Sequence, residues 1–332
     1  MDPNPNNFCG GRYCGWLEVY LTSKCNGKCS WCIDKQGYHP KTSVSVEKMI
    51  TAISNTKAEN IILLGGEPLL YEKIHDLILG IKDKNIFVTT NGQRLTSEYL
   101  KNNLLGIKGI NISIHHYKLE KNREITGLLL DEKILLESIC EAKINNVLVR
   151  LNCNIIKGNI DSEREIMKYI GWAKSLGADK VRFAELKDDV ANFVDLAKIL
   201  NYRYGLNDNP YIFGCNMDCT INNMQVGFRQ MCGLQTSCRC PPENPSCIQD
   251  KKVLYYDGKI YNGWQKPEKE IAMSESDKEI SIKEIEQKIE ALKNQLKDLE
   301  RQKETMGLTA EIREFNRKLG EISSSTGSHC CY

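Results

Sequence analysis

Residues 16–32 read WLEVYLTSKCNGKCSWC, and two signals meet in them. Leu17–Leu21 (LEVYL) is a short run of large and β-branched apolar residues, the length of a buried strand. Cys25, Cys29 and Cys32 follow it directly, with Trp31 just ahead of the last. Three thiolates on one tight loop can fill three metal corners of a four-iron cluster. The fourth iron then stays open for a substrate-like ligand, as catalytic metals keep one position free. The plainer readings are a zinc loop or a set of buried thiols. A zinc site wants a fourth protein ligand, which this loop lacks.

The same strand-like pattern recurs downstream. Ile61–Leu64, Ile86–Thr90, Ile110–Ile114, Val147–Asn152 and Lys180–Phe183 are short apolar runs. Amphipathic helical stretches separate them, beginning at Ser45 and covering Tyr71–Lys82, Leu95–Asn102, Asp131–Lys143 and Ser162–Ser175. Strand, helix, strand at this spacing means βα units on a parallel sheet. Six such units predict an α/β fold, an open (β/α)6 TIM-like partial barrel, over 1–190. From 191 to 264 Asn, Gly, Pro and Cys dominate, which reads as a small metal-supported module. Over 265–322, Ile282, Ile285, Ile289, Leu292, Leu296 and Leu299 form an a/d seam, so a helical, coiled-coil-like segment is expected. The end, 323–332 (SSSTGSHCCY), is too small and polar to pack and is expected to be a flexible tail.

Composition narrows the setting. The 332 residues carry a net charge of +2, so no global basic field points to nucleic acid. No apolar run approaches the roughly 20 residues of a membrane span. The polar start, MDPNPNN, has no apolar signal core, and a cytoplasmic protein is expected. In a reducing compartment the 15 cysteines point to metal or redox chemistry rather than disulfides. Cys140 and Cys153, alone in the middle stretch, read as core residues.

Gly65-Gly66-Glu67-Pro68 follows the second strand as the triad follows the first. The glycines would let a ligand approach the backbone closely. Together the two motifs resemble the radical S-adenosylmethionine (SAM) superfamily, whose signature is C-x-x-x-C-x-aromatic-C after the first barrel strand. The resemblance covers roughly Leu17 to Leu186. It implies a [4Fe–4S] cluster on Cys25, Cys29 and Cys32, with SAM on its open iron. It also implies SAM contacts from Trp31 and from Gly65, Gly66, Glu67 and Pro68, with Glu67 beside the ammonium. Weaker matches end the later strands: Asn91 in TTNG, Ser113 in SIH, and Asn152 in NCNIIKG. Arg123 in NREITG resembles a loop of the molybdenum-cofactor cyclase branch. At the place of His115 many relatives carry an acidic residue.

Cys215, Cys219, Cys232, Cys238, Cys240 and Cys247 crowd a second group. Several relatives hold auxiliary clusters here in a SPASM or twitch module, and YDGKIY at Tyr256–Tyr261 resembles the hairpin of such modules. Asn262-Gly263-Trp264 stands where a further cysteine is usual. One auxiliary [4Fe–4S] cluster is expected, with a structural zinc as the alternative. The implied reaction is reductive cleavage of SAM to a 5′-deoxyadenosyl radical that abstracts a substrate hydrogen. The expected use is peptide modification, the chain's own C-terminal tail being one candidate substrate. The alternatives are a small molecule or nucleotide, as in cofactor biosynthesis, and a non-catalytic iron–sulfur or zinc scaffold. A flavodoxin or ferredoxin would supply the electron, and the helical segment could form a homodimer.

Overall fold

The computed structural model describes residues 15–36, 39–186, 189, 191–200, 216–229, 252–262, 290 and 294. Outside them lie Cys9, Cys14, Cys215, Cys232, Cys238, Cys240, Cys247, Cys330 and Cys331 and the expected tail 323–332. Of the expected a/d segment only Glu290 and Asn294 are described, both helical and exposed. The chain forms two compact units, Met1–Pro267 and Glu268–Tyr332, and the elements below belong to the first.

Six βα units follow one another. They are β1 (Trp16–Tyr20) with α1 (Val46–Ser54), β2 (Asn60–Leu64) with α2 (Ile74–Gly80), and β3 (Asn85–Thr90) with α3 (Ser97–Asn103). Then come β4 (Gly109–Ser113) with α4 (Leu119–Thr126) and α5 (Glu132–Ile144), β5 (Leu148–Asn154) with α6 (Glu163–Ser175), and β6 (Lys180–Ala184) with α7 (Leu196–Leu200). Adjacent strands from β1 to β6 pair in parallel, which is the expected partial barrel. Local chemistry sets several helix starts. Thr96, Asp131 and Ser162 each accept a backbone N–H three residues on, as N-caps do. The helix expected from Tyr71 begins at Ile74, because Pro68–Leu70 forms a separate 3-10 turn. Around Arg123 the chain is helical (α4), where a loop was expected.

The sheet does not stop at six strands. β7 (Asn216–Ile221) and β8 (Met224–Arg229) form a hairpin, and β8 pairs in parallel with β6. β9 (Lys252–Tyr255) and β10 (Ile260–Asn262) form another, and β9 pairs in parallel with β1. The order is β10-β9-β1-β2-β3-β4-β5-β6-β8-β7. Stretches expected to stand apart as a Cys-rich module thus extend both edges of the barrel sheet.

The two faces of the sheet differ. Leu17, Val19, Ile61, Leu63, Ile86, Val88, Ile110, Ile112, Val149, Leu151, Val181 and Phe183 are buried in one core with the helices. Cys153 belongs to that core, whereas Cys140 is exposed. Because strand side chains alternate, the intervening residues share the opposite face. One row there is Thr89, Asn111, Arg150, Lys180, and the next is Ser113, Asn152, Arg182, Gly227. Apolar layers on one side and polar rows on the other mark the second face as the one that meets ligands. Among the described residues no helix is long and apolar enough to cross a membrane.

Gly171 sits inside α6, exposed, with nothing within 4 Å of an added Cβ. Gly171→Ala should stabilise the fold by roughly 0.5–1 kcal/mol, since alanine loses less backbone entropy in a helix. A urea midpoint raised at constant slope would show it.

Candidate cofactor site

The site begins with two pieces of backbone pressed together. The β1–β2 ladder continues past the strands, with Leu21 N–H on Leu64 O at 2.9 Å. Gly66 N–H then donates to Thr22 O at 2.6 Å, and Glu67 N–H to Lys24 O at 2.8 Å. There is no room for side chains between them. A Cβ on Gly65 would lie 2.6 Å from Thr22 O, and one on Gly66 2.5 Å from Lys24 O. Gly65 also has φ +156°. Sequence reading gave these glycines to an approaching ligand; within the protein, what approaches them is its own chain, one residue ahead of Cys25.

Glu67 is buried, 1% exposed. Its Oε1 accepts the Leu69 N–H at 3.0 Å and the Thr90 hydroxyl at 2.6 Å. Its Oε2 accepts the Asn91 N–H at 2.7 Å. Burial pushes its pKa up; these three hydrogen bonds and the charge of Arg94 oppose that. The carboxylate therefore ties the end of β2 to the end of β3. Asn91 carries the link back to the triad, its Nδ2 donating to Asn26 Oδ1 at 2.6 Å. Asn26 Nδ2 in turn donates to Gln93 Oε1 at 2.7 Å. Of this network the sequence pointed to Glu67 and Asn91 only. Asn26 was not singled out, because no local signal joins it to a partner 65 positions away.

The triad is held from the other side by α4. Lys28 N–H donates to Thr126 O at 2.6 Å. Cys25 is exposed, and Cys29 and Cys32 are half-buried. A Cβ at Gly27 would lie 3.6 Å from Cys25 Sγ and 3.8 Å from Cys29 Sγ, so two sulfurs flank one glycine. Burial pushes the Cys29 thiol up to about 11, helped by the charges of Cys32 and Cys25. Burial also raises Cys25, with Glu67 and Cys32 adding and the Gly27 N–H opposing. Thiols that raise one another in this way are relieved by a cationic centre, which deprotonates them outright. Among the described residues no three side chains converge as they would around a single ion. The triad fits a cluster, where each thiolate meets a different iron, better than it fits one zinc.

The remaining expected residues fall in different places. Trp31 meets His115 edge-on, ring centroids 5.4 Å apart at 90°. His115 Nδ1 accepts the Asn154 N–H at 3.0 Å, and burial pushes this imidazole down to about 4, so it is neutral. Pro68 is buried and opens the 3-10 turn capped by Glu67. Ser113 and Asn152 are register partners across β4 and β5. Asn152 Oδ1 accepts the Arg150 Nε–H at 3.0 Å. Arg123 is exposed on α4, and it is its neighbour Asn122, fully buried, that faces inward and accepts the His115 N–H at 2.8 Å. Of the second cysteine group only Cys219 is described, half-buried on β7, its thiol pushed up to about 11 by burial.

Two outcomes follow from this geometry. Gly66→Ala must separate two backbones and should cost on the order of 3 kcal/mol, read as a lower urea midpoint. In iron-free protein, alkylation of Cys29 should be slow at pH 8 and keep accelerating up to about pH 11, because only the thiolate reacts. Peptide mapping by mass spectrometry would follow it against Cys140, which is exposed.

The comparisons with known proteins agree with this picture. The model of the radical SAM superfamily matches residues 19–170. A GTP 3′,8-cyclase of Aquifex aeolicus is 30% identical over 197 residues, covering 56% of this chain and 61% of that one. Another, from Clostridium perfringens, is 31% identical over 186 residues, covering 53% and 56%. The chain thus spans less than two thirds of these curated relatives. In fold it is similar to Streptococcus suis SuiB bound to S-adenosylmethionine, with a TM-score of 0.54 at 17% identity, over 74% of this chain and 59% of that one. SuiB bound to its precursor peptide SuiA gives the same score at 16% identity. The family match runs unbroken from residue 19 to residue 170, through the triad and the Glu67 turn, so this part of the chain carries a radical SAM superfamily domain, a family whose cofactors are a [4Fe–4S] cluster and S-adenosylmethionine.

Proposed function

We propose that this chain is an enzyme that starts radical chemistry from SAM on a cluster held by Cys25, Cys29 and Cys32. When bound, the two cofactors together supply a 5′-deoxyadenosyl radical, formed with methionine on one-electron reduction, that takes a substrate hydrogen atom. The observation that carries the reading is the backbone contact of Thr22–Lys24 with Gly65–Glu67, which sets the cysteine loop and the glutamate turn side by side. Glu67 Oε2 accepts the Asn91 N–H, and a carboxylate oxygen can accept two hydrogen bonds, so an ammonium can be held there. Asn91, Ser113 and Asn152 line the neighbouring strand ends and suit the carboxylate and ribose of SAM; Trp31 suits its adenine. Arg123, exposed on α4, would have to act from the rim. Exposed Cys25 leaves the loop open to an electron donor of the flavodoxin or ferredoxin kind. An auxiliary [4Fe–4S] cluster on the Cys215–Cys247 group is part of the proposal.

The inner face supports a substrate with a phosphate or carboxylate. Arg150 is half-buried there; burial lowers its pKa, Arg182 and Arg229 lower it further by repulsion, and Asp218 opposes them. Such a cationic wall is suited to charge-assisted bonds with an anion. It agrees with a nucleotide, the substrate class named for the GTP 3′,8-cyclases. A peptide is the second reading, supported by the fold shared with SuiB, which was solved with its precursor peptide.

The test is SAM cleavage by reduced, reconstituted protein. Wild type should form 5′-deoxyadenosine, and Cys29→Ala should lower it at least 100-fold. No 5′-deoxyadenosine from wild type would leave an iron–sulfur scaffold. About eight irons per chain, falling to about four in Cys25→Ala, are expected with an auxiliary cluster. Stimulation by GTP supports the nucleotide reading, and a changed mass of the C-terminal fragment after turnover supports the peptide one.

A further inference from the structure

The stretch behind the triad begins with the 3-10 helix Ile33–Gln36, and its described residues 39–44 form no strand. Most of its anchors come from elsewhere in the chain. Asp34, two residues after Cys32, accepts the hydroxyl of Tyr20. The Asp34 carbonyl accepts from His39 Nε2 at 2.8 Å. The hydroxyl of Tyr256 donates to Pro40 O at 2.8 Å, a contact spanning 216 positions of sequence. The Tyr256 carbonyl accepts the Val44 N–H, also at 2.8 Å. Gly258 lies against Val44, where a Cβ would come within 3.2 Å of its methyl. Rings complete the attachment: Tyr20 packs on Tyr255 and Tyr256 at centroid distances of 5.1 and 5.8 Å, and Tyr255 meets Tyr261 at 5.3 Å. Register explains the cluster, since Tyr20 of β1 and Tyr255 of β9 are direct partners in the sheet.

We propose that the hairpin of β9 and β10 holds the cysteine loop from behind, and that Tyr20 and Tyr256 are positioning residues of the cofactor site. The proposal rests on the reading of the triad as the cluster-holding loop. Its physical basis is the number of anchors on each side of that loop. Thr126, Lys24 and Asn91 fix the front, through Lys28, Glu67 and Asn26. Past Cys32 a local Lys35 N–H bond to Cys32 O at 3.1 Å closes the turn, and the contacts just described tie that turn to the rest of the sheet. A cluster with three protein thiolates is lost once one of them swings away, so the stiffness of the segment after Cys32 sets how long iron stays. The YDGKIY segment resembles the hairpin of an auxiliary-cluster module. Here its tyrosines and backbone serve the first cluster's loop instead.

The experiment uses reconstituted, full-length protein and follows anaerobic iron release to a chromogenic ferrous chelator. Tyr256→Phe and Tyr20→Phe keep the rings and delete one hydroxyl each. Each should release iron at least fivefold faster than wild type and broaden the electron paramagnetic resonance signal of the reduced, SAM-bound cluster, at an unchanged thermal midpoint. Tyr261→Phe is the control, because its hydroxyl donates to Asp257, within the hairpin itself, at 2.8 Å. Unchanged release in both variants overturns the proposal, as does equal acceleration in Tyr261→Phe. A thermal midpoint that falls in step with faster release also overturns it, in favour of a general structural role. Wild type that binds no iron, or iron retained in full by Cys29→Ala, overturns instead the cluster reading beneath it.

Discussion

Everything at this site depends on one close contact: two stretches of backbone, Thr22–Lys24 and Gly65–Glu67, that touch with no side chain between them. The contact extends the β1–β2 ladder beyond the strands. It makes the loop that carries Cys25 and the turn that carries Glu67 a single rigid piece. Only glycine permits it, because carbonyl oxygens stand where any Cβ would be. Backbone carbonyls cannot move aside as a flexible side chain can, so the tolerance for substitution is small.

Around that piece the protein places polar ties that each join two separate elements. Glu67 joins β2 to β3, Asn26 joins the triad loop to Asn91, and Lys28 joins it to α4. His115 joins β4 to β5 and presents its ring to Trp31. Buried and satisfied networks of this kind are rigid because any broken member leaves a polar group unpaired. The apolar layer on the helix side supplies stability, and the polar rows on the other side supply the surface for ligands. The division follows from the two-residue period of a strand once helices cover one face.

Much of this was legible along the chain. The six strands, most of the helices and the two motifs are local, each carried within a few consecutive residues. α4 was missed because Leu119–Thr126 (LEKNREIT) is polar nearly all round, and the residues it buries, Asn122 and Thr126, are themselves polar. The sheet edges were missed because β8 and β9 lie in a Cys- and Gly-rich stretch whose composition reads as irregular. In that stretch sequence singled out six cysteines, of which Cys219 alone is described, on an edge strand.

What the sequence by itself determined is which motif stands at which strand end: three cysteines after the first strand, a glycine-glutamate turn after the second, on an α/β scaffold. Spacing of residue types is enough for that, since both signals lie within single turns of chain. Tertiary structure alone decided what the glycines are for, which partners Glu67 keeps, and that tyrosines more than 200 residues downstream of the triad stand behind it. Those facts depend on hydrogen bonds and ring contacts between residues far apart in sequence, and no local propensity encodes which distant strand will become a neighbour.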